Sequence, residues 1–196
     1  MKTATTTARP FTTKTLAYCA LLAALSVVLA RFLIPMPNVT TRFSIEAVPI
    51  FLAGMLFGPM AGGLVGFSAD LVGCLFSGYG YNPLFCLPPI LYGVFGGVFR
   101  RYLREKSSLP RLLAAFAPPV VLGSILWQSA ALSFVYNSKG SFQASLIYFL
   151  STRTVQFAVT LVLDVLVIYL LLRTKVFERM GIWPAAGREK EGKETA

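Results

Sequence analysis

The stretch FQASLIYFLSTRTVQFAVTLVLDVLVIYLLLR, Phe142 to Arg173, decides the fold class. A membrane-spanning helix uses about 20 predominantly apolar residues, and this run exceeds that length. Its polar residues are not scattered. Arg153, Gln156, Thr160 and Asp164 fall at i, i+3, i+7 and i+11, one stripe on an otherwise apolar helix.

The rest of the chain has the same character. Of its 196 residues 56% are hydrophobic and 13% charged, with a mean hydropathy of +0.68; soluble domains carry about 25% charged residues. A soluble fold could not cover its surface with so few charges. Without the polar tail after Arg173 there is room for six spans with short loops, and hardly for seven. A soluble enzyme, a disordered chain and a disulfide scaffold are excluded. Histidine is absent, which removes HExxH zinc sites, His-ligated haem and Ser-His-Asp triads. Cys19, Cys74 and Cys86 are far apart in apolar stretches and form no CxxC pair. No GxxxxGK[ST] loop is present, so the chain has no P-loop for ATP.

The pattern predicts an all-α integral membrane protein, six transmembrane helices in a compact bundle with both termini cytoplasmic. Residues 1–15 read as a basic cytoplasmic tail, 16–173 as the membrane domain and 174–196 as a second cytoplasmic tail. The expected helices are Leu16 to Phe32, Phe43 to Phe57, Met60 to Ser77, Leu84 to Tyr102, Leu112 to Tyr136 and Phe142 to Arg173. The second is short for a span and closes at Gly58-Pro59. A signal peptide is the alternative reading of the first; the long tail and the membrane-like residues after it favour a retained helix. Orientation follows from the cations. With both ends inside, 14 of the 18 Lys and Arg lie in the two tails, Arg173 at the edge of the second included, and in the loop Arg100 to Arg111. The net charge of +10 is therefore mainly a topology signal.

Charged residues inside a bilayer are costly and usually paired or functional. Arg31, Arg42, Glu46, Asp70, Arg153 and Asp164 are the candidates. Asp70 lies too deep in the third helix to snorkel and must face protein or a water-filled cavity. It shares a stripe with Gly62, Gly66, Gly73 and Ser77, and the fifth helix adds Ser124, Trp127 and Gln128. Interhelical hydrogen bonding accounts for isolated Ser, Thr and Gln, but less well for full charges beside aromatics. Tyr81, Asn82 and Phe85 flank the second outer loop, and Tyr136, Asn137 and Tyr148 the third. Together with Asp70, Gln128 and Arg153 they outline an outward pocket suited to a planar, polar, anionic small molecule.

Small residues give a second pattern. Gly54, Gly58, Gly62 and Gly66 recur every four residues, and Ala20 and Ala24 lie one turn apart on the first helix. Such faces allow close helix contact, either within the bundle or, for Ala20 and Ala24, with another membrane protein.

The run Gly54-Met-Leu-Phe-Gly-Pro-Met-Ala-Gly-Gly-Leu-Val-Gly-Phe-Ser-Ala-Asp70 resembles the helix-two to helix-three signature of folate-type S components, the substrate-binding subunits of energy-coupling factor (ECF) transporters. Gly78-Tyr-Gly-Tyr-Asn-Pro-Leu-Phe85 is similar to their third-loop pattern, Gly93 to the glycine that follows, and Ala20-Leu-Leu-Ala-Ala24 to their AxxxA coupling motif. The chain departs from the pattern at Asn82, Leu84 and Cys86, where an aromatic, Gly and Thr are usual, and at Pro88-Pro89. The resemblance implies a non-enzymatic, cofactor-free subunit that binds a vitamin near the outer face. It implies as partners a transmembrane coupling subunit and two ABC ATPases, and as lid the first outer loop, Pro35 to Thr41. For folate, Asp70, Asn82 and Gln128 are candidates for the pterin edge, and Tyr81, Phe85 and Trp127 for its face. Arg153, Arg42 or Arg31 would meet the glutamate carboxylates, and Gln156 completes the set. The alternatives are another planar vitamin or a modified nucleobase. A remote one is an intramembrane enzyme using Asp70, Asp164 and Glu46. It is disfavoured because these carboxylates read as lying at different depths, with Glu46 near the outer surface and Asp164 toward the inside.

Overall fold

The computed structural model describes residues 12–30, 34–35, 42–77, 81–105, 108–135 and 141–183. In chain order these form α1 (Thr13–Leu29), β1 (Ile34–Pro35), β2 (Arg42–Phe43), α2 (Ala47–Phe57), α3 (Pro59–Ser77), α4 (Pro83–Val98) and α5 (Arg100–Glu105). There follow α6 (Leu109–Pro119), a π-helical stretch (Val120–Trp127), α7 (Gln128–Val135), α8 (Phe142–Arg173) and α9 (Val176–Arg179). Among the described residues three stretches are long and apolar enough to cross a membrane: Pro59–Phe76, Leu109–Val135 and Phe142–Arg173. Thr13–Leu29, Ala47–Phe57 and Pro83–Val98 are shorter apolar helices.

The expected helix bounds hold closely for α3 and α8 and shift elsewhere. Helix α4 ends at Val98 and not Tyr102, and α2, expected from Phe43, starts four residues later. Ile34 instead pairs antiparallel with Phe43, and Pro35 with Arg42, so the all-α reading gains a two-residue ladder. Ile34 precedes a proline, which biases it to extended backbone. Helix α2 therefore starts at Ala47 and has 11 residues, about 16 Å at 1.5 Å per residue.

The centre of the bundle is a three-helix contact through glycine. A Cβ on Gly54 or Gly62 would collide with the Gly93 carbonyl, one on Gly93 with the Gly62 carbonyl, and one on Gly66 with the Pro89 carbonyl. Helices α2, α3 and α4 thus meet backbone to backbone, an approach only small residues permit. Gly58 makes the α2–α3 turn at φ 108°, a left-handed conformation that disfavours residues with a Cβ. Beside this unit, Phe51 and Phe116 pack with ring centroids 4.8 Å apart, and Tyr92 and Phe116 at 5.2 Å. Helix α1 lies on α2 and α3, tied by the Ser26 hydroxyl, which donates to the Glu46 carbonyl at 2.8 Å.

Pro118 and Pro119 end α6 and remove two consecutive N–H donors. The ladder continues over Val120–Trp127 with five-residue spacing. Leu75, Phe76, Phe134, Ile147 and Val155 are exposed apolar side chains on the outside of the bundle, as lipid contact requires. The folded part also passes the expected end of the membrane domain: Trp183 is buried and packs with the core cluster.

Candidate functional site

Polar side chains gather at two levels. The first is the start of α4. Pro83 and Pro88 bracket its opening turns. Asn82 caps it, its Oδ1 accepting from the Leu84 N–H at 3.1 Å. Pro88 has no N–H, so the Leu84 carbonyl four residues earlier lacks a helical donor. The Trp127 indole N–H supplies one at 2.7 Å. On the neighbouring α3, Asp70 lies within side-chain interaction range of the Cys86 thiol, and Cys86 within that of the Tyr81 hydroxyl. Asp70 Oδ2 is buried and has no partner among the described residues. Asp70, Tyr81, Asn82 and Trp127 are therefore assembled around one helix terminus, with half-buried Phe85 in its first turn. Tyr81 and Trp127 remain 43% and 41% exposed, so aromatic surface is left open beside a carboxylate oxygen that needs a donor.

The second level lies deeper. The Tyr92 hydroxyl and Ser124 Oγ are 2.8 Å apart and fully enclosed. Tyr92 lies within electrostatic reach of Asp164, Glu46 and Arg153. From α8 the predicted stripe points inward: Gln156, Thr160 and Asp164 are all buried. Arg153 stacks its guanidinium 5.6 Å from the Phe157 ring centroid, and its Nη1 is buried without a partner.

Asp164 lies within electrostatic reach of Glu46. Among the described residues no three His, Cys, Asp or Glu could hold a metal ion.

The remaining candidates are placed less completely. Gln128 is half-buried where the π-helical stretch ends. Arg42 lies in β2, which packs against α8. Arg31, Tyr79, Tyr136, Asn137 and the proposed lid beyond Pro35 lie outside the described residues. Sequence reasoning placed Ser124 on the inward stripe of the fifth helix but did not name Cys86 or Tyr92 as site members. Tyr92 reads as one more aromatic in an apolar run, although the neighbouring Gly93 marks that face of α4 as closely approached.

Ala20 and Ala24 are exposed. With Ala23, Val27, Ala61 and Leu64 they line an apolar groove of about 380 Å³ between α1 and α3.

A family model described as the ECF-type riboflavin transporter S component matches residues 10–174. The chain is 30% identical over 154 residues to a folate transporter, FolT, of Clostridium novyi (strain NT), covering 78% of this chain and 84% of that protein. It superposes on a crystal structure of FolT bound with folic acid with a TM-score of 0.67 and 29% identity, over 81% of this chain and 92% of that one. A structure of ThiT from Listeria monocytogenes matches with a TM-score of 0.62 and 18% identity, over 82% and 94% of the two chains; it is alike in fold.

Proposed function

Because the chain belongs to the S components of ECF-type transporters, membrane subunits that bind a transported substrate and work with an ECF module, we propose that its substrate is folate. Identity to the folate transporter across most of both chains supports this reading, and one structural observation carries it. Asp70, next to Cys86, presents a buried carboxylate oxygen with no partner among the described residues beside open Tyr81 and Trp127 rings. A pterin has adjacent N–H donors on one edge and two flat faces, so acid and aromatics meet its two recognition needs. Arg153 supplies a cation for the glutamate tail.

In this reading residues 16–173 form six membrane spans in the plasma membrane of a prokaryotic cell, with 1–15 and 174–196 cytoplasmic. The partners are a transmembrane coupling subunit, docked on the Ala20–Ala24 face, and two ABC ATPases. Those ATPases supply the hydrolysis this chain has no P-loop to perform. The loaded subunit reorients in the membrane to deliver the vitamin. A second reading, another planar vitamin such as a flavin, is favoured by the riboflavin description of the matching family model and by Asn82, Leu84 and Cys86. Mass spectrometry of the molecule that co-purifies with the chain in detergent separates the two: a folate supports the first, and a flavin replaces it.

A further inference from the structure

At the opposite end of the bundle from the α4 N-terminus, Arg100 and Arg104 lie one turn apart on α5, both half-buried. Leu103 between them is fully buried and pins the helix to the bundle. The Arg104 guanidinium is held 5.6 Å from the ring centroid of buried Trp183. The Arg100 Nη1 lies 4.0 Å from where a Cβ on Gly58 would stand, so it reaches the α2–α3 turn. Helix α3 begins there, with Pro59 first and Gly62 bonding back to Gly58; the early N–H groups of a helix point outward and carry its positive end.

Three positive features thus converge. The two arginines feel each other's charge, and the Nε atoms of both are buried without a hydrogen-bond partner among the described residues. Two crowded guanidiniums with starved donors beside a helix N-terminus are arranged for an oxyanion. The surroundings indicate which one. Met60 is 76% exposed and Val98 60%; Met60 adjoins Pro59 and Val98 lies two residues before Arg100, so the arginine pair stands beside exposed apolar side chains. A free phosphate would leave that surface unused, whereas a phospholipid fills both parts.

We propose that Arg100, Arg104 and the α3 N-terminus bind the phosphodiester of an anionic phospholipid, its acyl chains lying along Met60 and Val98. The proposal stands whatever vitamin the outer site takes.

The test is thermal stability of the full chain in neutral detergent, titrated with phosphatidylglycerol, phosphatidylcholine or inorganic phosphate. Phosphatidylglycerol is expected to raise Tm and the other two are not. The double variant Arg100→Gln/Arg104→Gln should need about thirtyfold more phosphatidylglycerol, at about fivefold per lost surface-proximal cation. Arg101→Gln/Arg179→Gln removes the same charge from exposed positions and should respond like the wild type. Arg100→Lys/Arg104→Lys keeps the charge without the guanidinium fork and should show a reduced response even if the glutamine pair fails to fold. Equal responses from all variants would mean diffuse attraction and overturn the site. A full shift with inorganic phosphate would overturn the lipid assignment.

Discussion

The indole N–H of Trp127 donates to the Leu84 carbonyl at 2.7 Å, and that carbonyl is available because Pro88 contributes no N–H. The bond ties the end of the π-helical stretch to the mouth of α4, where Asn82, Phe85 and Cys86 sit. Trp127→Phe keeps the aromatic face and removes the donor. Its expected cost is about 0.5–1.5 kcal/mol, read as a lower Tm in detergent. Pro88→Ala restores a helical donor to Leu84, so the double variant should recover part of the loss. Additive losses would show that the bond contributes nothing.

The glycine contact separates two substitutions that look alike in the sequence. A Cβ on Gly93 would strike backbone, whereas one on Gly73 would meet nothing within 4 Å. Gly93→Ala should therefore cost about 1–3 kcal/mol or more, as overpacking does, with a sharp fall in monodisperse protein. Gly73→Ala should be silent. Size-exclusion profiles and Tm of the two variants check this.

Asp70→Asn keeps the shape of the side chain and removes its charge. An acceptor of charge-assisted hydrogen bonds is worth about 1.5–3 kcal/mol, so folate affinity should fall roughly tenfold or more with Tm of the free protein little changed. Isothermal titration of variant and wild type decides it. Unchanged affinity would place Asp70 in a purely structural role.

Ala20 and Ala24 line the α1–α3 groove from exposed positions. Ala20→Trp or Ala24→Trp should leave ligand binding by the isolated subunit intact and abolish uptake by the full transporter. If binding and uptake fell together, the face would be internal packing. If neither fell, coupling would run through another helix.

Much of this was legible in the chain because bilayers impose simple rules. Composition set the environment, and the stripe from Arg153 to Asp164 is inward-facing as its spacing required. The glycines from Gly54 to Gly66 announced close contact, and α4 supplies its other half through Gly93. What was not legible depended on backbone irregularities. Nothing in apolar periodicity reveals that Pro118-Pro119 is followed by a π register, or that a β ladder shortens α2. The Tyr81–Cys86–Asp70 chain escaped notice because cysteine in an apolar run reads as a small hydrophobe.

Intrinsic fluorescence tests the central claim most directly, since the two tryptophans report from different places: Trp127 at the proposed vitamin site and Trp183 in the core cluster near Arg104. Titrating the purified chain with folic acid should quench emission saturably and raise Tm. In Trp127→Phe most of the quenching should vanish while the remaining Trp183 signal stays flat. No quenching and no thermal shift with folates, with both appearing on addition of riboflavin, would contradict the folate assignment.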